Sequence, residues 1–231
     1  MKRKISNERV VMLILVALTA VGITVSGIVS EQAFLKFIPL YVSLSVMLFQ
    51  SEAKRIALLI GGINSILYAI VDYSYGLYAS AVSDIVFSCL LQFLAFILWT
   101  KRKDGSTTVF RRLSLRWRLL LLISVIIVYS VTLVINIRIG ATMPYFDAYQ
   151  LIGSLVTQGL MLFAFLEYTA FSMFGGFLNV IMNALMLESN PERIGYLIFS
   201  IYSLICSIRG AVSVSKIYKA QNSKTTDNKG E

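Results

Sequence analysis

Residues 100–118 read TKRKDGSTTVFRRLSLRWR. They hold Lys101, Arg102, Lys103, Arg111, Arg112, Arg116 and Arg118, seven of the chain's 21 basic residues. On either side the chain is apolar, over about 78–99, which ends at Trp99, and over about 118–138. A helix needs about 20 apolar residues to cross a hydrocarbon core about 30 Å thick, and each flank supplies such a run. Working outward, further apolar segments fall at about 10–30, 34–50 and 55–75 before the basic stretch, and at about 145–166, 168–188 and 192–215 after it. The pattern predicts an all-α integral membrane protein with about eight transmembrane helices. Barrel strands are shorter and alternate in polarity, so they do not fit these uninterrupted runs. Composition agrees: 57% of the 231 residues are hydrophobic and 14% charged, with a mean hydropathy of +0.76, too little polar surface for a soluble domain.

The basic residues also predict orientation. Lys and Arg accumulate in cytoplasmic loops. With eight spans and the N-terminus inside, the turn at 51–55, the 100–118 loop, the turn near 167 and the tail all lie on the cytoplasmic side. The tail adds Lys216, Lys219, Lys224 and Lys229 to that side. The opposite loops carry Glu31, Lys36, Asp72, Arg138, Asp147, Glu188, Glu192 and Arg193, with little basic excess. Merging or deleting a span would place the central loop or the tail outside. The expected localisation is a bacterial cell (inner) membrane, multi-pass, with both termini cytoplasmic. The first segment follows Lys2, Arg3, Lys4 and Arg9, as a signal peptide would, but its apolar run is too long and no A-x-A site follows, so it reads as a retained helix.

The net charge of +9 is accounted for by loops and ends, so nucleic acid is not an expected partner. The chain has no histidine, and Cys89 and Cys206 lie in apolar segments. Zinc sites, disulfide frameworks and histidine-based catalysis therefore have no support. No catalytic residue, cofactor or metal is expected.

Burying polar groups in hydrocarbon is costly, so those present line cavities or bond helices together. Asn64 and Tyr68 share one helix face, with Asp72 a turn on; Asp84, Ser88 and Gln92 form a second stripe. Gln158 is the central polar group of the sixth segment, Asn179 and Asn183 pair on the seventh, and Tyr196, Ser200, Ser203 and Ser207 line up on the eighth. Amide and hydroxyl groups suit an uncharged, hydroxyl-rich solute. Asp84 is the one deep carboxylate, a candidate contact for solute or proton, with Gln92 beside it. Pro39, inside the second segment, is a candidate kink and gating hinge. Trp99 and Trp117 read as interface anchors.

The spacing separates three helices with short links (segments two to four), a lone fifth, and three more (six to eight). Three plus one returns the second triplet in the orientation of the first, as in parallel repeats. The corresponding divisions are an N-terminal helix at 1–33, a first bundle at 34–100, the basic loop and linker helix at 101–140, a second bundle at 141–217 and a disordered tail at 218–231.

Two stretches resemble the PnuC family of bacterial vitamin and nucleoside transporters. One is NSILYAIVDYSYGLYASAVSDIVFSCLLQFLAFILW, residues 64–99, matched through Asn64, Leu67, Tyr68, Leu77, Tyr78, Ala79 and Trp99. The other is PYFDAYQLIGSLVTQGLMLFAFLEYTAFSMFGGFLN, residues 144–179, matched through Pro144, Tyr145, Asp147, Ala148, Gln158, Leu160 and Asn179. The resemblance implies a SWEET-like 3+1+3 fold and facilitated uptake of a small heterocyclic metabolite, nicotinamide riboside-like, a nucleoside or a vitamin precursor. Intracellular phosphorylation would trap the solute. It also implies a mid-membrane site, in which Asn64, Gln158, Asn179 and Asn183 hydrogen-bond the solute and Tyr68 or Phe174 stacks on its ring. The family's tryptophans after the Gln are absent here, where the sequence reads FSMFGGF. The alternative is a substrate-binding membrane subunit of an energised multi-component importer. The partners expected are the solute and the lipid bilayer, with a homo-oligomer left open.

Overall fold

A computed structural model describes residues 7–29, 36–101, 103–104 and 107–227. Lys2, Arg3, Lys4, Glu31, Arg102 and Lys229 lie outside the described residues. The described helices are α1 (Asn7–Val29), α2 (Ile38–Ser51), α3 (Ile56–Ser74), α4 (Tyr78–Lys101), α5 (Leu115–Arg138), α6 (Pro144–Leu162), α7 (Tyr168–Met186) and α8 (Ile194–Asp227). Six of these, all but α2 and α6, are long and apolar enough to cross a membrane. α2 is apolar but has only 14 residues. α6 has 19 residues, but Asp147, Gln150, Ser154, Thr157 and Gln158 interrupt its apolar run.

Three local readings need correction. Pro39 is in the first turn of α2, not its interior, so it starts the helix and makes no kink. A first-turn residue needs no N–H partner, which is why proline is tolerated there. α8 continues as one helix through residues 218–227, where composition suggested a disordered tail. Its lower half is held laterally: Gln221 Nε2 donates to the Thr108 carbonyl at 2.9 Å, and the Phe110 N–H donates to Gln221 Oε1 at 3.1 Å. Trp99 is only 2% exposed and donates its indole N–H to the Met161 carbonyl at 2.7 Å, so it is a core residue rather than an interface anchor. Trp117 is 64% exposed. The basic loop adds a two-stranded antiparallel ribbon, Lys103–Asp104 with Thr107–Thr108, that helical periodicity does not reveal.

The turns sort onto two faces, as eight alternating spans require. On one face, Arg209 of α8 donates to Ser51 Oγ at 3.0 Å and lies 3.6 Å from Glu52. The Arg111 N–H donates to the Ala164 carbonyl, and Arg118 pairs with Glu167 at 2.6 Å. Lys54, Arg55, Lys101, Arg112, Lys216 and Lys219 belong to this face. On the other, the Tyr196 hydroxyl donates to the Lys36 carbonyl at 2.7 Å and Thr142 to the Tyr75 carbonyl at 3.3 Å.

Six helices close a ring in the order α2, α3, α4, α6, α7, α8 and back to α2. α1 lies outside the ring against α8 and α2, and α5 outside it against α6. Along α5, Leu119, Leu122, Ile126, Val131 and Val134 are each more than half exposed, a surface suited to lipid rather than water.

The α2–α3 and α6–α7 turns are near copies, 111 residues apart. Ala53 and Ala164 both take positive φ, 52° and 56°. The Ala53 N–H donates to the Gln50 carbonyl and Lys54 to Phe49; likewise Ala164 donates to Met161 and Phe165 to Leu160, all four at 2.9 Å. Gln50 Nε2 itself touches Met161 Sδ at 3.6 Å across that same 111-residue separation.

Candidate functional site

All six ring helices, and neither α1 nor α5, contribute side chains to one cavity of about 250 Å³. That is just below the range of about 300–1,000 Å³ for sites holding drug-sized ligands, and so suits a small metabolite. Of the eight residues proposed from the sequence, six line it: Asn64, Tyr68, Asp84, Gln92, Gln158 and Asn179.

The local reasons are visible helix by helix. On α3, Asn64 Nδ2 donates to the Pro39 carbonyl at 3.0 Å and to Ser43 Oγ at 2.8 Å; Ser43 in turn donates to the Tyr68 hydroxyl at 3.0 Å. The amide nitrogen ties α3 to α2, while Asn64 Oδ1 is buried with no partner among the described residues. Gln158 Oε1 and the Tyr149 hydroxyl, which also line the cavity, are in the same state. Buried polar atoms are nearly always paired, so three such atoms around one cavity point to a polar guest.

On α4 the backbone is wound as a π-helix over Ser83–Cys89. The wider turn rotates less per residue, so Asp84, Ser88 and Gln92 stay in line along the cavity wall instead of drifting around the helix. π-turns of this kind frequently mark functional sites. Gly61 faces Gln92 closely: a Cβ there would lie 2.2 Å from Gln92 Oε1. Two serine pairs cross helix boundaries at the wall, Ser88 with Ser154 at 2.9 Å and Ser172 with Ser207 at 3.2 Å.

Two predicted residues are not in the cavity. Phe174 is 54% exposed and packs edge-on against the outer side of Tyr149, ring centroids 5.4 Å apart. The cavity face of α7 runs through Phe171, Gly175 and Asn179, one turn apart each, and Phe174 lies about 100° off that line. Phe171 therefore holds the place assigned to Phe174. Asn183 is 5% exposed and donates to the Asn179 carbonyl at 2.8 Å, a turn beyond the lining. Sequence reasoning missed Ser43, Gln50, Tyr149, Gln150, Ser154 and Thr157. The spacing of Gln150, Ser154, Thr157 and Gln158 at intervals of three and four on α6 was the available signal.

Toward the basic loop, Trp99, Phe110, Met161 and Tyr168 pack in one buried cluster. Trp99 meets Phe110 edge-on at 5.6 Å. Toward the opposite face, Tyr75, Leu77, Met186 and Tyr196 form a cover of buried side chains. Arg193, 2% exposed, lies between the rings of Tyr75 and Tyr196 at 4.4 and 5.1 Å.

The motifs that carry the family resemblance meet beside this cover. Asp147 has no exposed surface; it accepts the Ala79 N–H at 3.2 Å, the Ser80 N–H at 2.8 Å, the Ser80 hydroxyl at 2.7 Å and Asn136 Nδ2 at 3.2 Å. A carboxylate of one half thus caps the first turn of α4 in the other, satisfying N–H groups that no residue of α4 reaches.

A family model described as nicotinamide mononucleotide transporter matches residues 33–211 of the 231. The chain belongs to this family, the PnuC transporters. The match begins after α1, takes in α2–α7 and ends within α8. The chain is 24% identical over 180 residues to the nicotinamide riboside transporter PnuC of Neisseria mucosa, covering 75% of this chain and 68% of that one. Its fold matches a crystal structure of the vitamin B3 transporter PnuC with a TM-score of 0.79 at 22% identity, covering 95% of each chain. Members of the PnuC family are transporters, not enzymes.

Proposed function

We propose that the chain carries a nicotinamide riboside-like nucleoside, or a vitamin precursor of similar size, across a bacterial inner membrane by facilitated diffusion. The observation that carries this reading is the ring cavity, in which amides and hydroxyls from six helices surround buried acceptors without protein partners. Asn64, Gln158 and Asn179 hydrogen-bond the ribose or amide groups of the solute. Phe171 and Tyr68 stack on its ring. The family description names a mononucleotide and the Neisseria relative a riboside. The cavity has no Lys or Arg to meet a phosphate, which favours the riboside.

Two parallel three-helix repeats, α2–α4 and α6–α8, with α5 as linker, rock around the solute to expose it alternately to each side. The matched turns at Ala53 and Ala164 and the ring order support this repeat. The basic face is cytoplasmic by the positive-inside rule. Intracellular phosphorylation then pulls net uptake, since a phosphorylated product finds no cationic partner in the cavity.

The test is influx of labelled nicotinamide riboside into liposomes holding only the purified protein. Transport without a partner subunit is expected, as is its loss in Gln158→Ala and Asn179→Ala variants that still insert. Normal influx through both variants would remove the site assignment.

A further inference from the structure

Among the described residues, Asp84 is the one acidic or basic side chain lining the cavity. Ser88, one turn on, lines the same wall and pairs its hydroxyl with Ser154 at 2.9 Å. The lining holds no Lys or Arg among the described residues. Arg193, a buried cation outside the lining, lies between Tyr75 and Tyr196 with its Nη1 2.9 Å from Met186 Sδ. A carboxylate within a membrane-spanning helix is expensive to keep without a counter-ion. The π-turn of α4 nevertheless directs it into the cavity, in line with the amide of Gln92.

We infer that Asp84 is the counter-ion for a positively charged ring, so that the cavity selects a cationic heterocyclic nucleoside over a neutral one of the same shape. This rests on the transport reading above and adds the charge of the solute to it. The remaining lining groups are neutral, so hydroxyl and amide recognition is shared by both forms of such a solute. Discrimination falls to one ion pair inside the helix ring, where a charge contact is stronger than in bulk solvent. The same carboxylate repels a phosphate group, which strengthens rejection of the phosphorylated product.

Nicotinamide riboside and its reduced form make a matched pair of probes. The oxidised ring is a pyridinium cation and the reduced ring a neutral dihydropyridine, with the ribose and carboxamide unchanged. Initial influx of each is measured in liposomes with the membrane potential held at zero. The wild type is expected to favour the cation by about tenfold or more. Asp84→Asn should bring the two rates together while still carrying the neutral form, which shows that the variant is folded; Asp84→Glu should keep the preference. Equal influx of both probes through the wild type overturns the inference, whatever the variants do, and leaves the transport reading standing. A preference retained by Asp84→Asn overturns it as well. No influx of either probe through the wild type overturns the transport reading itself, and the inference with it.

Discussion

Asp147 and Phe171 separate two kinds of importance at the residue scale. Asp147 stands out in the sequence as part of a PY-x-DA motif, yet its carboxylate is used up by four donors from α4 and α5. Its work is assembly. Asp147→Ala would leave the Ala79 and Ser80 N–H groups buried and unpaired and take from Asn136 Nδ2 the shorter of its two bonds, a loss of about 3 kcal/mol or more. The expected readout is a lower thermal unfolding midpoint in detergent, with reduced yield of inserted protein. Phe171 is the reverse case, plain in sequence but placed in the cavity wall. Phe171→Ala should weaken solute affinity about threefold to tenfold, the worth of one aromatic contact, whereas Phe174→Ala should change it less than about twofold. Equilibrium binding to the purified variants measures both; equal losses would show that Phe174 also turns inward.

At the scale of single helices, glycine positions show which faces are committed. Gly61 on α3 lies against the Gln92 amide, so a methyl group there must displace Gln92 from the wall. Gly159 on α6 has open space, with nothing within 4 Å of an added Cβ. Gly61→Ala is expected to lower influx in a protein that remains folded. Gly159→Ala should leave influx unchanged and raise stability by up to about 1 kcal/mol through helix propensity alone. Parallel influx and thermal-unfolding measurements on the two variants test the contrast. Both glycines were visible in the sequence. Helical phase alone could not distinguish them, because it does not say which neighbour arrives at each face. The π-turn in α4 was equally hidden: its residues, Ser83–Cys89, have no composition that sets them apart from an α-helix.

For the whole molecule, the proposed rocking of the two repeats is tested at the contact between α4 and α6. Ser88 and Ser154 face each other across it at 2.9 Å between hydroxyls. Replacing both by cysteine and oxidising the pair should stop influx, and reduction should restore it, because rocking of the halves is blocked. Bound solute should still raise the unfolding midpoint of the oxidised protein, which separates a locked carrier from a blocked site. Undiminished influx through the cross-linked form would rule out movement at this contact.

Hydropathy and charge determined by themselves the helical class and the number of helices. Those features follow from transferring each segment into hydrocarbon, which depends on that segment's own residues. The stripes of Asn64, Asp84, Gln92, Gln158 and Asn179 were legible for the same reason, since buried polar groups are conspicuous against apolar helices. The tertiary structure alone decided the cavity. It excluded Phe174 and Asn183, admitted Ser43, Tyr149 and Phe171, and turned Trp99 from an expected anchor into a buried core residue. Each of these outcomes depends on which helices are neighbours in the ring and how each is rotated, quantities fixed by packing between segments far apart in the chain.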